Sequence, residues 1–82
     1  MIFKILKQKI YAFYQIYNLA PNQIIIGRKV FDSLLMELIE KLITVKIDEK
    51  NILIMGIPVT IDEINIYDLS VGFVGKTDRL EL

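Results

Sequence analysis

The 82-residue chain has no cysteine, no histidine and no tryptophan, and only two prolines and four glycines. Without cysteine, no disulfide can staple so small a domain, and the thiolate and imidazole ligands of a structural zinc are missing as well. Without histidine, a serine nucleophile lacks its ordinary activating base. Ser33 and Ser70 are the only serines, and neither sits in a Gly-x-Ser-x-Gly elbow. The scattered glycines form no phosphate loop and no dinucleotide fingerprint. These absences point away from an enzyme and from any bound cofactor or metal.

Another absence is local: the first 31 residues contain no acid. Lys4, Lys7, Lys9, Arg28 and Lys29 give that front a charge of +5. The remaining 51 residues carry all ten acids against five cations, a charge of −5. The net charge of zero therefore hides two opposed halves, and a neutral chain has little net repulsion to keep its copies apart. No window approaches the roughly 18–20 apolar residues of a membrane span, so no transmembrane segment is expected. The front lacks the three-part layout of a signal peptide, and the cytoplasm is the expected location.

Aliphatic side chains are what the sequence has in excess. Hydrophobic residues make up 54% of it, with 16 isoleucines and ten leucines, whereas average soluble domains hold about 45–50% even with glycine counted. A single domain of this length buries only about 60–65% of its unfolded surface. That interior is too small for all the aliphatic residues, so part of the surplus is expected at an interface, in a homo-oligomer or a larger protein assembly.

Periodicity supplies the element order. Phe3, Leu6, Ile10, Phe13 and Tyr17 recur at helical spacing, with Asn18 as a stop signal and Pro21 barring continuation. Gln23–Ile26 reads as a short strand, and its three isoleucines predict burial on both faces. A second helix runs from about Arg28 to Ile43, with Phe31, Leu34, Leu35, Leu38 and Leu42 on one face. Val45 and Ile47 alternate with polar residues as in a half-buried strand, and 49–51 is a polar turn. Ile52–Met55 is a buried run, with a bulge or bend at Gly56. Val59 and Ile61 form a strand that Pro58 assigns to an edge or delays until after the proline. Asp62–Asn65 is a loop, and Tyr67, Leu69, Val71 and Phe73 form a last strand. The expected fold is α+β, in the order α-β-α-β-β-β, with two helices on a small mixed or antiparallel sheet of about four strands. Within one domain of residues 1–82, residues 1–20 form a basic amphipathic helix, 21–74 the core, and 75–82 a polar tail, mobile or used for docking.

Two segments taken together resemble a known family. Pro21-Asn22-Gln23-Ile24-Ile25-Ile26-Gly27 runs into the helix 28–42. Ile52-Leu53-Ile54-Met55-Gly56-Ile57-Pro58-Val59-Thr60-Ile61-Asp62 is followed by Leu69-Ser70-Val71-Gly72-Phe73. Over about residues 21–73 the pair resembles the axial domain of tailed-phage major capsid proteins. In that family a strand opening into a helix precedes a Leu-x-Gly-x-Pro-Val-x-Val hairpin. The resemblance implies a domain that packs against copies of itself. The spine helix, extended loop and N-terminal arm of such proteins have no room in 82 residues. It therefore implies a small phage- or prophage-encoded protein sharing the module, found in the host cytoplasm or the virion, and not a free-standing shell former.

Four constellations invite chemical readings. Asp62 and Glu63, with Asp68 nearby, are the best pair for acid–base work, although a solvated turn is the plainer reading. Gly27-Arg28-Lys29 at a strand-to-helix junction could offer N–H groups and cations to an anion. On the first helix Lys4, Lys7, Lys9 and Tyr11 suggest contact with nucleic acid, with Tyr14 and Tyr17 expected toward the core. The sequence pI of about 6.2 does not favour that reading. Tyr11 and Met36, on polar helix faces, are possible contact anchors. The candidate interaction residues are therefore Lys4, Lys7, Lys9, Tyr11, Arg28, Lys29 and Met36. The expected role is a non-enzymatic structural or assembly protein acting by self-association, and the alternative is a small module or regulator docking on protein or nucleic acid through the first helix.

Overall fold

The computed structural model describes residues 1–41, 46–48, 51–75 and 79–82. The first helix, α1, spans Ile2–Tyr17. It stops where Asn18 turns left-handed at φ 55°, and the Asn18 N–H closes the last turn on the Tyr14 carbonyl. Strand β1 is Gln23–Gly27, and helix α2 follows without a break over Arg28–Glu40. Then come β2 (Lys46–Asp48), β3 (Asn51–Ile54), β4 (Ile57–Asp62), β5 (Leu69–Val74) and β6 (Arg79–Glu81). The class is α+β, with six strands among the described residues where about four were expected. The positions read as strand or helix at 42–45, and most of the turn at 49–51, lie outside the described residues.

The sheet is mixed, in the order β2-β3-β4-β1-β5-β6. Among the described residues only β1 and β4 run parallel, with Ile24 opposite Val59 and Ile26 opposite Ile61. On its other side β1 pairs antiparallel with β5, Ile24 opposite Val71. Because side chains alternate along a strand, this register gathers Ile24, Ile26, Val59, Ile61, Leu69 and Val71 on one face. Both helices close that face. Phe3, Leu6 and Phe13 of α1 and Phe31, Leu34 and Leu38 of α2 join Ile24, Ile26, Ile54 and Val71 in one buried cluster.

Among the described residues no helix covers the other face of the sheet, which corrects the expectation of burial on both sides of β1. Ile25, Leu53 and Ser70 are half-buried there, while Pro58, Thr60 and Val74 are exposed. Three isoleucines in a row therefore mark a strand central in its sheet, not one sandwiched between layers.

Three further expectations are corrected. Pro58 lies inside an interior strand, between β3 and β1. The β3–β4 hairpin closes on Ile54 and Ile57, so the next pair, Leu53 and Pro58, needs no N–H from proline on that side. On the other side the ladder with β1 begins only at Val59. Met55 and Gly56, at φ 52° and 76°, form the two-residue turn with the positive φ pair that matches strand twist. Tyr67 belongs to no strand and is 76% exposed. Finally, the segment read as a polar tail contains β6, which pairs with β5 and packs Leu80 and Leu82 against the core. The Leu82 N–H bonds to the Val71 carbonyl at 3.0 Å.

Candidate functional site

On one flank of α1, Lys4, Lys7, Tyr11 and Tyr14 follow each other at spacings of three and four residues and so share a stripe. The left-handed Asn18 turns the chain back, Leu19 packs on the core, and the buried Pro21 lies beside Tyr14. The β3–β4 turn brings Met55 to the same place. Lys7, Ile10, Tyr11, Tyr14, Ala20, Pro21 and Met55 thereby line an open, apolar hollow of about 280 Å³. Its walls are aliphatic and aromatic, and Lys7 is the charged residue among those that line it, its ammonium 5.0 Å from the centre of the Phe3 ring. A shallower hollow continues along the helix between Lys4, Lys7, Gln8 and Tyr11.

Of the residues singled out from sequence, Lys4, Lys7 and Tyr11 are thus brought together. Tyr14, expected toward the core, is 49% exposed and belongs with them, whereas Tyr17 does pack on the core, its ring 4.5 Å from that of Phe13. Lys9 lies on the opposite flank of the helix, on the stripe of Ile5 and Ile16. Met36 is exposed on α2 with Ile39, away from both hollows.

At the other end of β1, Arg28 and Lys29 open α2, where unpaired N–H groups would ordinarily await an anion. The 63–67 loop occupies that position. Lys29 N–H bonds to the Ile66 carbonyl at 3.0 Å, Val30 N–H to the same oxygen at 3.4 Å, and Gly27 N–H to the Asp68 carbonyl at 2.7 Å. Arg28 Nε donates to Glu63 Oε1 at 3.0 Å, and that hydrogen bond raises the guanidinium above its ordinary value. The anion reading is therefore corrected: the loop's own carbonyls and carboxylate fill the cradle. Gly27 is required for space, because a Cβ there would run into the backbone of Asn65 and Ile66.

Asp62 builds the loop from within. Its Oδ1 accepts from the N–H groups of Ile64 and Asn65 at 2.8 and 2.9 Å, and its Oδ2 accepts from the Asn65 amide at 3.2 Å. The bond from Asn65 N–H, then that from Ile64, holds the Asp62 carboxyl below its ordinary value. The Arg28 hydrogen bond does the same for Glu63. Acid–base catalysis by two carboxylates needs their affinities for protons pushed apart, and here both are pushed down. The arrangement fixes a loop shape and presents Ile64, 88% exposed, and Tyr67 to solvent.

Among the described residues no helix is long and apolar enough to cross a membrane. No family model matches the chain, and no curated protein or solved structure matches it.

Proposed function

We propose that the protein is a non-enzymatic structural or assembly component that works by self-association, as a phage- or virus-encoded part of the virion or an accessory to it, acting in the host cytoplasm or the particle. The observation that carries this reading is the distribution of apolar surface. Ten hydrophobic side chains are buried in the core, while eleven large ones are exposed among the described residues, from Met1 to Val74. Among the described residues no helix covers the second face of the sheet either. An ordinary protein interface takes about 800 Å² from each partner, roughly one seventh of this chain's 5749 Å² of accessible surface. The expected result in multi-angle light scattering is a particle several times the 9.5 kDa of one chain. A strict monomer at high micromolar concentration would defeat the reading.

A second reading draws on the α1 flank, where cations and aromatic rings share one surface: a small regulator that docks on single-stranded nucleic acid. Backbone neutralisation by Lys4 and Lys7 with base stacking on Tyr11 and Tyr14 would give retention that weakens steeply with salt. Absence of binding to a labelled oligonucleotide at low salt eliminates it.

A further inference from the structure

The exposed loop and the apolar hollow lie at opposite ends of the same two strands. Pro21 and Met55, which line the hollow, adjoin the starts of β1 and β4. Gly27 and Asp62, which carry the loop, are the ends of those strands. The six residues of β4 place the two features roughly 20 Å apart. They cannot meet within one chain.

They are nevertheless complementary. The loop presents an aliphatic and an aromatic tip, Ile64 and Tyr67, at 88% and 76% exposure. The hollow is walled by apolar groups and edged by Lys7, with Lys4 one turn away. Asp62, Glu63 and Asp68, with Asp32 beside Arg28, outweigh Arg28 and Lys29, so the loop end is negative where the α1 flank is positive. The bonds inside the loop and to α2 hold its shape beforehand, so little ordering is lost on contact.

We propose that copies of the chain join head to tail, the 62–68 loop of one seating Ile64 and Tyr67 in the α1 hollow of the next. This rests on the self-association reading and specifies its surface. A contact between two different patches leaves each copy with one free loop and one free hollow, so it repeats, closing into a ring or running on as a filament.

Complementation tests it. Ile64→Asp removes the tip and Tyr11→Glu places a carboxylate in the hollow. Both side chains are exposed, and circular dichroism confirms that each variant is folded. In sedimentation each variant alone runs as a single 9.5 kDa chain, and an equimolar mixture yields a species of two chains through its one intact junction. A second pair acts through charge alone. Lys7→Glu and Asp68→Lys each lower the assembled fraction, and together in one chain they restore it. Wild-type assembly that persists in both apolar variants, or a mixture with no two-chain species, overturns this contact and leaves self-association standing. A monomeric wild type removes self-association itself.

Discussion

The carboxylate of Glu37 on α2 accepts a 2.8 Å hydrogen bond from the backbone N–H of Ile2 at the start of α1. Its other oxygen accepts from Phe3 N–H at 3.3 Å, and the N-terminal ammonium lies 3.2 Å away. One helix thus caps the other, placing a negative charge at the positive end of α1, whose own first turn carries no acid. Glu37→Ala strips two N–H groups of their acceptor and is expected to lower the thermal midpoint by several degrees, with Glu37→Gln intermediate. Calorimetry on the three proteins checks this order.

The same carboxylate predicts an acid response. Desolvation raises the Glu37 pKa, but the bonds from Ile2 and Phe3 and the ammonium outweigh it and leave the group below its ordinary value. Asp62 and Glu63 are lowered as well. In each case the unfolded chain binds the proton more readily than the folded one, so acid favours unfolding. Their stabilisation is complete above the ordinary carboxylate range of about 4 and is lost as the pH falls below it through the depressed folded values. Urea midpoints should be flat near neutrality and fall in acid, and less steeply in Glu37→Gln.

Gly27 makes a test of space, not of backbone freedom, since its φ is −65°. Gly27→Ala must push Ile66 off the start of α2 or shift the strand end. The expected cost is about 3 kcal/mol, the upper part of the range for overpacking. Denaturant unfolding measures it, and a loss under about 0.5 kcal/mol, typical of neutral surface changes, would mean that the loop does not cross Gly27 so closely.

Phe13 and Leu80 separate the centre of the core from its margin. Phe13 is fully buried, and Phe13→Ala should cost about 3–5 kcal/mol, enough to unfold most of so small a domain. Leu80 is half-buried between charged neighbours. Leu80→Asp should loosen β6 alone, seen as faster amide exchange at Leu82, whose N–H otherwise bonds to Val71. Unchanged exchange there would place the segment outside the sheet.

Both helices were legible in the sequence because their partner is the whole core and an apolar stripe at period 3.6 records it. Asn18 announced the end of α1 through a preference local to that residue. Strand β6 was not legible: Arg79-Leu80-Glu81 offers one apolar residue between charges, too little alternation to register. The Glu37 cap has its partner 35 residues away, and no local pattern encodes that distance. Tyr14 was misplaced because it borders the core stripe, and only the return of Pro21 and the arrival of Met55 make its side of the helix a hollow. The filled anion cradle was hidden for the same reason, since Gly27 gives no sign that a loop starting at residue 63 will cover it.

The position of β1 also bears on how the protein is made. Both strands that flank it, β4 and β5, come later in the chain. As the polypeptide leaves the ribosome, Ile24 and Ile26 have no strand to pair with until Ile57–Asp62 have been synthesised, and their second neighbour, Leu69–Val74, comes later still. The two helices can meet each other early, but β1 takes its central place only after the local β3–β4 hairpin that supplies its first neighbour has been made.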